Sequence, residues 1–150
     1  MLKQIIRPVG VYPPTADFSQ AIRVSGGDLV FVSGIIGMRA DGTMPPDARE
    51  QVELAFANLA AVLDAAGATP ADVVKVNVFV RDDFRLVRDD VRDIRARYFT
   101  HDFPVSTLVQ VAGFAGPEYR FEIEAIAAVP SRADVAAPAS PPEPAAPRSG

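Results

Sequence analysis

Apolar and polar residues alternate with period two along Phe121-Glu122-Ile123-Glu124-Ala125-Ile126-Ala127, the clearest strand pattern in the C-terminal half of the chain. Phe121, Ile123, Ala125 and Ala127 share one face and require a core. Glu122 and Glu124 share the other, roughly 6.6 Å apart along the strand. Ala71 to Val80 repeats the pattern, with Val74, Val76, Val78 and Val80 opposite Lys75, Asn77 and Phe79. Leu29-Val30-Phe31-Val32 is apolar at four successive positions, which suits a strand buried on both faces. With Ala21-Ile22-Arg23-Val24 it flanks Ser25-Gly26-Gly27-Asp28, and the spacing predicts a hairpin. Ile5 to Val9 reads as a first strand, Ser106 to Ala112 as a later one, and Tyr119 to Val129 as the last.

Two stretches carry the helical period instead. Val52, Phe56, Leu59 and Leu63 recur at helical spacing after Asp47, a capping residue with Glu50 three positions on. Gly67 supplies the stop. Phe84, Val87, Val91, Ile94 and Tyr98 step by three and four after Asp82-Asp83. The polar side of this second helix is rich in Arg and Asp, with Asp89, Asp93, Arg92 and Arg97 expected in solvated pairs. Arg88 falls at the border of the stripe, between core and solvent.

The resulting order, β-β-β-α-β-α-β-β, predicts an α+β domain with two helices on one face of a mixed six-stranded sheet. The other face is bare and largely apolar, so an oligomer with packed sheets is the natural way to cover it. Such packing takes Glu122 and Glu124 out of bulk water and to an interface.

At 150 residues the chain is long enough for one domain with a real core. It has no cysteine, which excludes disulfides, a thiol nucleophile and cysteine metal ligands. Its single histidine, His101, excludes a multi-histidine zinc site within one chain; in a loop, it is expected to be exposed. The formal charge of −4 counts against nucleic acid as a partner. The start of the chain reads as neither signal peptide nor membrane span, so a cytoplasmic location with no membrane association is expected. Residues 1–129 form the domain, and the proline- and alanine-rich segment 130–150 reads as a disordered tail.

Several segments, taken together, resemble a known family. They are Phe18-Ser19-Gln20-Ala21, Leu29-Val30-Phe31-Val32-Ser33-Gly34, Asn58-Leu59, Ala66-Gly67, Asp72 to Val80, Asp83-Phe84, Tyr98-Phe99, Phe103-Pro104 and Glu122 to Ala127. In order and spacing they are similar to the Rid superfamily of reactive-intermediate deaminases, also called YjgF or L-PSP. The resemblance implies a chorismate-mutase-like fold, a homotrimer with clefts between subunits, a small-molecule substrate, and no metal or cofactor. It implies hydrolysis of imines or enamines to a carbonyl compound and ammonia. In such proteins an arginine grips the substrate carboxylate and a glutamate positions or activates water.

Carried onto this chain, the glutamate is Glu122, and Ser33 and Gly34 line the cleft. Departures are specific. A tyrosine of the family is Phe18 here. The family's Pro-Ala-Arg-Ser is Pro104-Val105-Ser106-Thr107, so the arginine position falls at or next to Val105. An asparagine on the second helix is Arg88. Two readings of Arg88 follow: a guanidinium that replaces the missing one in the cleft, or a surface arginine paired with Asp89 or Asp93. Glu122 is either catalytic or an interface carboxylate held for assembly, and Ser33 either contacts substrate or ends its strand. Glu124 reads as a structural neighbour. The whole chain reads as a divergent imine or enamine deaminase or, alternatively, a non-catalytic small-molecule-binding trimer. A ribonuclease role, also described in the family, fits the acidic charge least.

Overall fold

The computed structural model describes residues 2–81 and 84–131. Strands β1 (Leu2–Ile6), β2 (Ala21–Ser25) and β3 (Asp28–Ile36) precede helix α1 (Ala48–Ala65). A 3-10 turn (Pro70–Asp72) leads into β4 (Val73–Val80), then α2 (Phe84–Tyr98), β5 (Val105–Gln110) and β6 (Phe121–Val129). The predicted element order and the α+β class hold. Asp82, Asp83 and the segment from residue 132 onward, expected to start α2 and to form a disordered tail, lie outside the described residues.

Local chemistry sets the ends of α1. Asp47 is extended and its carboxylate accepts from Glu50 N at 2.9 Å. The reciprocal half of the expected capping box is absent, because the Glu50 side chain pairs with Arg39 instead. At the far end Gly67 takes a positive φ of 74°. Ala68 N donates to Leu63 O at 2.8 Å and Gly67 N to Asp64 O at 2.9 Å, a Schellman closure that satisfies the last carbonyls.

The four-stranded sheet has the order β3-β6-β4-β5. Strand β6 runs antiparallel to both β3 and β4. Strands β4 and β5 are parallel, since α2 carries the chain back between them. Val76, Val78, Val80, Phe121, Ile123, Ala125 and Ala127 face the helices and pack with Val52, Phe56, Leu59, Leu63, Val91 and Ile94. Phe56 is the hub, with its ring 5.3 Å from Tyr98, 6.2 Å from Phe99 and 5.9 Å from Phe121. Both α1 and α2 therefore cover one face, as predicted. On the opposite face Leu29, Phe31 and Val109 are exposed.

The expected single six-stranded sheet is not what forms. Strand β2 pairs with β1, from Leu2↔Ser25 to Ile6↔Ala21, in a separate two-stranded sheet. The Gly26-Gly27 turn exists, with both residues at positive φ, but the strands that it joins pair elsewhere, β2 with β1 and β3 with β6. The reason is competition for backbone edges. A turn signal brings two strands close without deciding which neighbour takes their hydrogen bonds. The ribbon is tied to β4 by Lys3 Nζ, which donates to Ala71 O and Val73 O at 3.2 and 3.3 Å. Among the described residues no helix is long and apolar enough to cross a membrane.

Candidate functional site

Glu122 lies on the sheet face away from the helices, in register with Phe79 of β4 and Ile36 of β3. The β3–β6 register slips between Val32 and Ile35, and Ser33 and Gly34 occupy that irregularity. A Cβ on Gly34 would sit 1.7 Å from Glu122 Oε1 and 2.6 Å from its Cδ. The carboxylate therefore lies over bare backbone, in space that any other residue at position 34 would fill. It is half-buried and accepts no hydrogen bond from any described residue. Asn58 of α1 holds the strand end beyond it, donating to Ile36 O at 3.0 Å and Met38 O at 2.9 Å.

Glu124, two residues on, is engaged differently. It accepts from Asn77 Nδ2, and Asn77 Oδ1 accepts from Lys75 Nζ at 2.8 Å. This ladder ties the carboxylate across β6 and β4, in keeping with a structural role.

A second feature lies on the helix side of the sheet. A cavity of about 660 Å³ is bounded by α2, by the Thr15–Phe18 segment and by the helix-facing side of β5, including Ser106 and Leu108. Phe18 reaches it because Ser19 is pinned to the start of β5. Ser19 Oγ donates to Phe103 O at 2.6 Å, and Ser19 N donates to Pro104 O at 3.2 Å. Arg88, Arg92 and Arg95 all line the cavity from α2. Their spacing of four and three residues places them on one side of the helix.

These three arginines differ in their partners. Arg92 is exposed and pairs with Asp89 at 3.2 Å and Asp93 at 3.3 Å. Those are the carboxylates that could have neutralised Arg88. Arg88 is exposed and forms no ion pair among the described residues. Arg95 is half-buried, with Nη2 donating to Asp17 O at 3.1 Å and Nη1 in a long contact of 3.4 Å with Ser106 Oγ. Its guanidinium also stacks 5.0 Å from the Phe99 ring centroid. Burial pulls its pKa below the ordinary arginine value, with nearby Asp17 opposing the shift.

Of the residues read from sequence, Phe18, Arg88 and Ser106 meet in this cavity, whereas Glu122, Ser33 and Gly34 cluster on β3 and β6. Register places Val105 on the Glu122 side of the sheet and Ser106 on the helix side. Ser106, not Val105, thus faces the arginines. Strands β5 and β6 flank β4, so within one chain the carboxylate and the cavity occupy opposite sides of the sheet and cannot converge on one small molecule. Sequence reasoning missed Arg95. The available signal was its seven-residue offset from Arg88, two helical turns along the same side. His101 is exposed, 3.5 Å from Asp102, and far from a catalytic setting. Among the described residues no group of three or more His, Cys, Asp or Glu could hold a metal ion.

The family profile described as Endoribonuclease L-PSP matches residues 10–129. The chain belongs to this family, the Rid superfamily. It is 38% identical over 126 residues to a RutC family protein, YjgH, of Escherichia coli K12, covering 83% of this chain and 94% of that protein. It is 36% identical over 131 residues to a 2-iminobutanoate/2-iminopropanoate deaminase of Dermatophagoides farinae, covering 85% and 97%. A solved structure of the Rid family protein YyfB from Yersinia pestis, a protein of unknown function, superposes with a TM-score of 0.77 at 32% identity, covering 86% of this chain and all of that one. This Rid chain therefore shares both its sequence and its α+β fold with the family along nearly the whole domain.

Proposed function

We propose that this chain is a divergent Rid-type deaminase that hydrolyses an imine or enamine metabolite. The observation that carries the reading is the Glu122 carboxylate, laid over Gly34 and without a hydrogen-bond partner among the described residues, in a chain 36% identical to a 2-iminobutanoate/2-iminopropanoate deaminase. Water is its natural occupant. Glu122 accepts a proton from that water as the oxygen attacks the imine carbon. The C=N bond becomes a tetrahedral carbinolamine. Forming that carbinolamine passes the first proton to the imine nitrogen. Glu122 then takes the new hydroxyl proton and passes it to the same nitrogen as the C=O bond forms and the C–N bond breaks, so that a carbonyl compound and ammonia leave. One water is consumed per ammonia released, with no oxidant or reductant.

The active assembly is a homotrimer. Its subunits cover the exposed Leu29 and Phe31 on the Glu122 face. Glu122, Ser33 and Gly34 of one subunit then face the cavity of its neighbour, where Phe18, Ser106 and Arg88 bind the substrate. Arg88 supplies a positive charge that the strand lacks at Val105 and Ser106. The opposite-sided arrangement within one chain supports this reading, since neither half is a site alone.

Ammonia release from enzymatically generated imines tests it, comparing the wild type with Glu122→Ala, Val105→Arg and Ser106→Arg. The expected result is wild-type activity that falls at least a hundredfold in Glu122→Ala. An inactive wild type that gains activity in either arginine variant means the fold persists without the chemistry. Silence from all four favours the non-catalytic small-molecule-binding trimer instead.

A further inference from the structure

The cavity beside α2 holds more positive charge than a single carboxylate requires. Arg95 has five guanidinium N–H donors. The Asp17 carbonyl takes one at 3.1 Å, and Ser106 Oγ engages another weakly at 3.4 Å. Among the described residues no carboxylate lies within 4.0 Å of it. A half-buried cation with open donors, balanced only through space by the Asp17 charge, is costly to maintain unless a ligand completes it. Phe99 beneath the guanidinium and the two oxygens at its rim fix its plane, which is the preorganisation a bidentate carboxylate needs. Arg88 lies seven residues earlier, about 10 Å along the same side of the helix. It too lacks an ion pair among the described residues. Asp17 is the acid in the cavity lining, and it forms no ion pair with either arginine. Two guanidinium groups without an ion pair among the described residues thus share one cavity in a chain whose overall charge is −4.

We propose that Arg95 and Arg88 form a two-point anion site, with Arg95 as the fixed carboxylate clamp and Arg88 as the receptor for a second carboxylate, so that the cavity selects short dicarboxylic imino acids. The nitrogen chemistry of the ligand rests on the deaminase reading; the two-point site does not require turnover. Moving the clamp from strand to helix also accounts for Ser106. A small hydroxyl there leaves room for the guanidinium that arrives from α2.

The test is equilibrium binding of stable keto acids to the full-length protein, read without turnover. Pyruvate is the monocarboxylic probe and 2-oxoglutarate the dicarboxylic one. The wild type binds 2-oxoglutarate at least tenfold more tightly than pyruvate. Arg88→Ala abolishes that preference, because it weakens 2-oxoglutarate at least tenfold more than it weakens pyruvate. Arg95→Ala weakens both ligands at least tenfold, and Arg95→Lys, which keeps the charge but loses the planar fork, recovers only part. Arg97→Ala, on the exposed side of α2, serves as the charge control and changes neither. Equal affinity for the two probes, or wild-type binding by Arg88→Ala and Arg95→Ala, overturns the proposal. Should Arg95→Ala fail to fold, Arg88→Ala and Arg95→Lys decide it. Ammonia release from 2-iminosuccinate and 2-iminopropanoate is measured alongside. Binding without turnover defeats the deaminase reading alone, and turnover without dicarboxylate preference defeats the two-point site alone.

Discussion

Replacing Gly34 with alanine separates what the glycine does for the fold from what it does for the site. The new Cβ would lie 1.7 Å from Glu122 Oε1, whereas ordinary contact begins at 3.4 Å. The carboxylate must retreat by about 1.7 Å, by simple subtraction along the line of contact. Its end is the tip of a flexible side chain, and Gly34 is not at positive φ, so the backbone accepts alanine. Stability is expected to change by less than about 1 kcal/mol, partly offset by the lower chain entropy of alanine. Activity is another matter. Misplacing a catalytic group by about 1 Å costs on the order of a hundredfold, or about 2.7 kcal/mol of barrier. Gly37→Ala provides the contrast. Its Cβ would meet Gln51 O at 2.1 Å and Gln51 Cα at 2.5 Å, backbone atoms of α1 that cannot step aside. That variant is expected to lose about 1–3 kcal/mol of stability, or more. The assay pairs a urea unfolding midpoint with ammonia release for each variant. A stable Gly34→Ala with wild-type activity would refute the placement of Glu122 in the chemistry.

Three other variants probe the fold. Gln51 is buried and fully used: Nε2 donates to Pro45 O at 2.7 Å and Glu118 O at 3.0 Å, while Oε1 accepts from Arg120 N at 2.9 Å. Gln51→Leu strands all three backbone groups and is expected to cost about 3 kcal/mol in denaturant unfolding; a loss under about 0.5 kcal/mol would contradict this. Phe56→Ala removes the ring that joins Tyr98, Phe99 and Phe121, at an expected cost of about 3–5 kcal/mol by the same measurement. Asp41 accepts from Thr43 Oγ1 at 2.7 Å and Thr43 N at 2.9 Å, which hold its pKa below 3.8. A depressed acid stabilises the fold above its unfolded pKa, and that contribution disappears as pH falls through the lower folded value. The stability gap between wild type and Thr43→Val is therefore expected above pH 3.8 and should narrow below it; a gap constant with acidification would rule out the linkage.

Legibility in the sequence followed the range of the interaction. Alternation in β4 and β6 and the stripe in α2 were readable because each residue's burial is written in its own polarity. The β2–β3 pairing was not, because it depends on which other strand competes for the same backbone edge. Glu122 was found through resemblance, yet nothing local shows that it rests on Gly34, a residue on a different strand. Arg95 was overlooked for a related reason. An arginine among arginines and aspartates on a helix reads as solvated, and only the approach of Asp17, Phe99 and Ser106 sets it apart from Arg92 and Arg97.

The claim that most needs testing is that two subunits share each active site. Glu122→Ala and Arg95→Ala chains, each impaired alone, are mixed after unfolding and refolded together, and ammonia release is compared with the separately refolded variants. Random assembly of a trimer pairs a wild-type Glu122 with a wild-type cavity at about one site in four, so the mixture is expected to recover about a quarter of wild-type activity. A mixture no more active than the sum of its parts, with mixed trimers present, would contradict the shared site.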